Sequence, residues 1–155
     1  MQVVIGFTGT QVGMTPAQAA KVDLLLERCV TRNPTWQLSG LHGDCLGADA
    51  DFDAICKRHA IPVKVRPASL PWMRAHCASE VVSHPKPPLV RNRDIVADST
   101  FLIACPQTPD EVLRSGTWST IRAMRRKGGL IYRVAPDGTV TTEGSHPLML
   151  KAGHV

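Results

Sequence analysis

Phe101-Leu102-Ile103-Ala104-Cys105, followed through Pro106 and Pro109 by Arg114-Ser115-Gly116-Thr117-Trp118-Ser119-Thr120-Ile121-Arg122, is the stretch on which the fold turns. A short, unbroken apolar run bounded by prolines reads as a strand covered on both faces. The hydroxyl-rich turn after it opens a helix. Such a turn leaves unpaired backbone N–H groups and Ser/Thr hydroxyls pointing at one spot, at the positive end of the helix dipole. That spot suits a phosphate, although Ser-Gly-Thr before a helix is also an ordinary N-terminal cap.

The same strand-loop-helix pattern repeats from the first residues. Val3-Val4-Ile5-Gly6-Phe7 reads as a buried strand with Thr8-Gly9-Thr10-Gln11-Val12-Gly13 as its exit loop. Thr15-Pro16-Ala17-Gln18 fits a capping box with proline at the first helical position, and Val22, Leu25, Leu26 and Cys29 share one face of the helix that Asn33-Pro34 ends. Residues 37–42 form a second strand with Gly43-Asp44-Cys45-Leu46-Gly47 as its exit loop. Ala48, Phe52, Ile55, Cys56 and His59 give the next helix its spacing, and residues 61–66 form a third strand. Residues 68–90, rich in proline, are expected to make a lid-like crossover with a helical turn near 72–82. A helix over 91–97, the fourth strand over 101–105, a helix over 115–127 and the fifth strand over 130–134 follow. Pro136-Asp137-Gly138 is a turn, and Val140-Thr141-Thr142 adds an edge strand before a loose tail.

Strands alternating with helices imply βαβ units, so the fold class is α/β: a Rossmann-like three-layer sandwich with a mostly parallel five-stranded sheet in the order 3-2-1-4-5. Residues 1–135 form this domain and 136–155 its C-terminal turn, edge strand and tail. In that order strands one and four meet at the switch point, where ligands bind outside the C-terminal ends of the strands. Thr8, Gly9, Thr10 and Gln11 then face Ser115, Gly116 and Thr117 across one crevice.

Composition narrows the alternatives. At 155 residues, 43% of them hydrophobic, the chain is long enough for one packed core. No run approaches a membrane span and the N-terminal segment lacks the basic flank of a signal peptide, so a soluble, cytoplasmic protein with no membrane partner is expected. The five cysteines are odd in number and never form Cys-x-x-Cys, which argues for reduced thiols and against a zinc knuckle. A formal charge of +5 favours an anionic partner without saying which.

Three clusters carry candidate chemistry. In His42-Gly43-Asp44-Cys45-Leu46-Gly47-Ala48-Asp49, Gly43 and Gly47 permit close approach, and Asp44 or Asp49 is suited to accept hydrogen bonds from ribose hydroxyls. Arg91-Asn92-Arg93-Asp94 opens a helix at the same end of the sheet, where an arginine forks onto a phosphate. Arg122, Arg125, Arg126 and Lys127 sit at a helix C-terminus, where cations offset the dipole. His76, Cys77 and His84 have no carboxylate at ligand spacing, so neither metal nor resident cofactor is expected. Gly-x-Gly-x-x-Gly, a Walker lysine and Gly-x-Ser-x-Gly are all absent.

Gly6-Phe7-Thr8-Gly9-Thr10, His42-Gly43-Asp44 with Gly47-Ala48-Asp49, Arg91-Asn92-Arg93-Asp94 and Ser115-Gly116-Thr117-Trp118, taken in order over residues 2–135, resemble the SLOG superfamily. These Rossmann-like nucleotide-binding proteins include the DNA-processing Smf family and the lonely-guy phosphoribohydrolases, and the chain looks closest to their small single-domain bacterial and phage members. The resemblance implies a phosphate or ribose-phosphate site at Ser115-Gly116-Thr117, with Arg91 as the arginine of the preceding helix and Gly9-Thr10-Gln11 as the first-strand loop. The lonely-guy hydrolases carry a catalytic glutamate three residues after the threonine. Thr120 stands there instead, and a threonine can neither act as the carboxylate base nor stabilise an oxocarbenium-like centre.

The expectation is therefore a homodimeric module binding a nucleotide or nucleotide-derived signal, for sensing or sequestration. Thr8, Gly9, Thr10, Gln11, Ser115, Gly116 and Thr117 would cradle phosphate, with Arg91 and Asn92 beside them and Gly43 and Gly47 allowing approach. Asp44 or Asp49 would read ribose, and Trp118 or His42 would stack on a base. One alternative is a nucleoside 5′-monophosphate phosphoribohydrolase using Arg91 with Asp44 or Asp49. A second is single-stranded nucleic-acid binding, against which the 5% aromatic content counts because stacking platforms are few.

Overall fold

The structure, a computed structural model, describes residues 1–148. Its elements are β1 (Gln2–Gly9), α1 (Pro16–Arg32), β2 (Gln37–His42), α2 (Ala48–Arg58), β3 (Val63–Val65), a 3₁₀ turn (Pro71–Met73), β4 (Val81–Val82), α3 (Pro88–Asp98), β5 (Phe101–Cys105), α4 (Gly116–Arg126), β6 (Ile131–Val134) and β7 (Val140–Glu143). They build one seven-stranded sheet, β4-β3-β2-β1-β5-β6-β7. All neighbours are parallel except β6 and β7. The central five strands run in the expected order 3-2-1-4-5, with β5 and β6 as fourth and fifth, and the protein is an α/β fold of the Rossmann-like type. The strand count was short by two, because β7 pairs as the expected edge strand and β4 extends the opposite edge.

Helices cover both faces of the sheet. On one face α1 and α2 bury Val22, Leu25, Leu26, Cys29, Phe52, Ile55 and Cys56 against Val3, Ile5, Phe7, Phe101 and Ile103. There the rings of Phe7 and Phe52 stack at 4.5 Å and 6°. On the other face α3 and α4 bury Val96, Trp118, Ile121 and Met124 against Leu102, Ala104 and Ile131. β1 and β5 lie at the centre of both layers, which is why their apolar runs are unbroken and readable.

The capping box at Thr15 forms as read: the Gln18 amide donates to Thr15 Oγ1 at 3.1 Å, and the Thr15 amide to Gln18 Oε1 at 3.0 Å. Gln18 is itself fully buried, and its Nε2 donates to the carbonyls of Pro106 and Val134, tying α1 to the exits of β5 and β6. His59 departs from the apolar face assigned to it. It is half-buried and pairs with Asp23 at 2.8 Å.

Residues 68–90 depart furthest from expectation. The helical turn is only Pro71–Met73, and Val81–Val82 add to β3 as a parallel strand. Two β-branched residues suffice for a ladder at an edge, whereas five prolines nearby deny a longer helix its N–H groups. α3 starts at Pro88 rather than Arg91, with that proline in its first turn. The third strand is trimmed to Val63–Val65 because Pro62 has no N–H to donate.

At the entry to α2, Gly47 has φ 87°, and a Cβ there would stand 2.3 Å from the carbonyl oxygen of Gln11. This close approach locks the β1 exit loop to the start of α2, with the Ala48 amide donating to the Thr10 carbonyl at 2.9 Å. Gly47→Ala is expected to destabilise the protein by about 2–3 kcal/mol through backbone strain alone, read as a lower denaturation midpoint. An unchanged midpoint would contradict this packing.

Candidate functional site

A cavity of about 500 Å³ opens at the C-terminal edge of the sheet, over the switch point between β1 and β5. That size is within the range of small-molecule sites. The exits of the two strands are tied together by the Thr10 amide, which donates to the Cys105 carbonyl at 3.1 Å. Of the residues singled out from the sequence, Thr8, Gly9, Thr10, Gln11, Gly43, Asp49, Arg91, Asn92, Ser115, Gly116, Thr117 and Trp118 line this cavity.

One wall is the start of α4. Ser115 caps it, its Oγ accepting from the Trp118 amide at 3.3 Å. Residues in the first helical turn have no intrahelical acceptor, and no partner accepts from the Gly116 and Thr117 amides among the described residues. The Gly116 position is also sterically open: nothing lies within 4 Å of where its Cβ would be. Thr120, at the position of the hydrolase glutamate, is buried and donates to the Gly116 carbonyl at 3.0 Å, away from the cavity.

The opposite wall is built by Arg91 and the β2 exit loop. Arg91 is only 6% exposed. Its Nη1 donates to the carbonyls of Gly43 at 2.6 Å and Arg66 at 3.4 Å, its Nε to Asn92 Oδ1 at 3.0 Å, and its Nη2 approaches Cys45 Sγ at 3.5 Å. A Cβ on residue 43 would meet Nη1 at 2.2 Å, so glycine there is what lets the guanidinium seat against the loop. No carboxylate pairs directly with Arg91 among the described residues. An acid within its field is Asp49, whose Oδ2 accepts from the Gly43 and Cys45 amides at 3.2 and 3.0 Å. Burial pushes the Asp49 carboxyl above the usual carboxylate range, against the pull of those amides and Arg91. It therefore holds a proton more readily than an exposed aspartate does. Burial likewise raises the Cys45 thiol.

His42, Asp44 and Gly47 do not line the cavity. Both His42 and Asp44 are fully buried and point to its far side. His42 Nε2 contacts Asp53 Oδ1 at 2.9 Å and Nδ1 accepts from the Asp44 amide, while Asp44 binds Arg74 and the Cys77 amide. Neither is free to stack on a base or read ribose. The indole of Trp118 is also buried and has Arg125 and Arg133 over its ring at 5.7 and 5.4 Å, which corrects its assignment as a base platform.

His42, Asp53 and Cys77 place one ligand atom each within 4.8 Å, the sole such group among the described residues. Their hydrogen bonds do not fit a metal. Because His42 Nδ1 accepts from a backbone N–H, the neutral ring carries its proton on Nε2, the nitrogen facing Asp53, and has no lone pair to give there. Lys57 takes the other Asp53 oxygen at 2.5 Å. Burial opposes ionisation of Asp53, but the bonds from His42 and Lys57 outweigh it and lower its pKa.

Three of the four basic residues toward the end of α4 are engaged internally. Arg122 and Arg125 pair with Glu111 and Arg125 with Glu143, and Lys127 donates to the carbonyl of Val96 at 2.8 Å. Sequence reading missed Cys45, Met73, Gln107, Thr108, Val112 and Arg114 as lining residues. Gln107, Thr108 and Arg114 lie in the segment between β5 and α4, whose two ends were already placed at the crevice, so that signal was present. Met73 had none.

No family model matches the chain, and no curated protein matches it. Two solved structures share the fold. The molybdenum cofactor binding protein from the phototrophic bacterium Rippkaea orientalis superposes with a TM-score of 0.64 at 17% identity, over 87% of this chain and 77% of its own. The structural-genomics target TM1055 superposes with a TM-score of 0.56 at 11% identity, over 83% and 72%. At these identities the likeness is one of fold, and it identifies the chain as a Rossmann-like α/β domain of the kind that the first of these proteins uses.

Proposed function

We propose that this chain is a SLOG-type protein that binds a nucleotide or nucleotide-derived molecule in the crevice between the β1 and β5 exits, for sensing or sequestration. The observation that carries the reading is a buried guanidinium, Arg91, without a paired carboxylate, facing the unpartnered amides of Gly116 and Thr117 across one cavity. Buried charge without a partner is costly, and an anion between these groups supplies one. Phosphate sits on Ser115-Gly116-Thr117 and the Thr8-to-Gln11 loop. Asp49, rather than Asp44, reads the ribose hydroxyls. A neighbour of the same fold is a cofactor-binding protein, which is compatible with a small-molecule ligand. Exposed apolar side chains that line the cavity or adjoin its lining residues in sequence, among them Val12, Leu46, Trp72, Leu89 and Leu113, favour self-association as a homodimer.

The test is thermal denaturation of the purified protein with a panel of nucleoside mono-, di- and triphosphates and cyclic nucleotides. A true ligand at a hundred times its Kd stabilises by about 2.7 kcal/mol, raising Tm by roughly 5–10 °C for a domain of this size. A panel that moves Tm nowhere overturns the reading.

One observation favours a second reading. Asp49 lines the cavity and retains a proton more readily than usual, as a general acid must. Under that reading the site hydrolyses a nucleoside 5′-monophosphate: the bond from C1′ to the base breaks as Asp49 protonates the departing base, water adds to C1′, and the proton that the water loses restores the Asp49 carboxyl. Release of free base by the wild type and none by Asp49→Asn would establish it.

A further inference from the structure

We infer that Asp44 is a positioning residue, a latch that holds the crossover between β3 and α3 against the back of the loop whose front lines the cavity. Alternate residues of that loop face opposite ways. Gly43 and Cys45 line the cavity, whereas Asp44 is turned away from it, fully buried, with φ 57°. Every polar group of Asp44 is engaged on that far side. Its Oδ2 accepts from Arg74 Nε at 2.9 Å, its Oδ1 from the Cys77 amide at 2.9 Å, and its carbonyl from the Ala75 amide at 2.8 Å. Its own amide donates to His42 Nδ1 at 2.9 Å. Two residues later in the loop, the Leu46 amide donates to the carbonyl of Met73, a cavity-lining residue.

The crossover needs such a device because none of residues 69–90 is buried. A segment without a buried side chain has almost no hydrophobic anchorage and opens at low free energy unless polar bonds hold it. Toward α2 and β3 it is also tied by Lys57 to the Ala78 carbonyl and by Ser79 to the Val63 carbonyl, but only the Asp44 bonds are shielded from water at a fully buried carboxylate. Breaking them would leave that carboxylate buried and unpaired, so the closed arrangement is strongly favoured. The latch fixes Met73 at the cavity wall. Its consequence for ligand retention rests on the nucleotide reading, and the latch itself does not.

Hydrogen exchange read by mass spectrometry on the full chain decides the matter. Asp44→Asn keeps a residue that tolerates positive φ but turns one acceptor into a donor facing Arg74. Arg74→Leu removes the other partner from outside the cavity. Both variants are expected to exchange residues 71–79 at least tenfold faster than wild type, with β1 and β5 unchanged. Wild-type exchange over 71–79 in both variants overturns the latch. If Asp44→Asn also speeds β1 and β5, it has unfolded the domain, and Arg74→Leu decides: slow exchange over 71–79 in that variant overturns the proposal. Adenosine 5′-monophosphate, titrated in parallel, should bind Arg74→Leu at least tenfold more weakly than wild type; equal binding overturns the positioning role. If no nucleotide binds even the wild type while 71–79 opens in the variants, the latch stands and the nucleotide reading falls.

Discussion

Replacing Arg91 by methionine is expected to lower stability by about 2–4 kcal/mol, a Tm decrease on the order of 5–15 °C for a domain of this size, and to weaken anion binding by about one to two decades. The stability loss follows from what the guanidinium satisfies. The Gly43 carbonyl, the Arg66 carbonyl and Asn92 Oδ1 all lose a charged donor in a buried place. Methionine matches the length of the stem but supplies none of these bonds. Asp49 loses a cation that opposes the effect of its burial, so its carboxyl is pushed still higher. For the ligand, losing a charge-assisted contact worth about 1.5–3 kcal/mol weakens binding by one to two decades. Arg91→Lys separates the two effects. It keeps the charge yet cannot reach the Gly43 carbonyl and the cavity at once, so it should recover part of the binding and little of the stability. Calorimetric melting with a nucleotide titration checks both, and a stable Arg91→Met that binds as wild type does would dissolve the site.

How far the sequence carries a reader depends on which force places each residue. β1 and β5 are central strands covered on both faces, so burial alone selects their residues, and the apolar runs 3–7 and 101–105 could be read directly. The Ser115 cap was legible for the same local reason: it is settled within four residues. β4 was not legible, because two half-exposed valines gain their place only from pairing with Lys64 and Val65, a tertiary event. The direction of the β2 exit loop was partly legible. Gly40 packs on Phe52 and Cys56 of α2, so strand alternation sends His42 to that same face, and Asp53 and Lys57 stand four apart on the helix to meet it. Reading Asp44 and Asp49 as interchangeable acids overlooked this. Asp44 lies behind the loop and Asp49, on the first turn of α2, in front of it. Trp118 misled for a different cause: an aromatic residue next to a phosphate-type turn suggests a base platform, yet in α4 it faces the core under two arginines that come from sequence-distant positions.

Gly116→Asp is expected to leave the fold as stable as wild type, or slightly more stable, while weakening nucleotide binding by two to three decades. The two signs come from one helix end. A carboxylate in the first turn of α4 complements the dipole, worth about 0.3–1 kcal/mol, and that turn carries no acidic residue now. The backbone admits a side chain there, since Gly116 is not at positive φ and its Cβ would meet no atom within 4 Å. For a bound phosphate the same carboxylate is a like charge at the spot where the Gly116 and Thr117 amides should receive it. Two unit charges about 4 Å apart near a protein surface repel by about 4 kcal/mol, close to three decades in Kd. Gly116→Ala fills the same space without charge and so isolates the electrostatic part; it should bind within a few-fold of wild type. Isothermal titration with the strongest nucleotide of the panel, alongside melting of the unliganded variants, measures both signs at once. If the aspartate variant binds as tightly as the alanine variant, phosphate does not sit at the start of α4, and the cavity holds its ligand by the Arg91 wall alone.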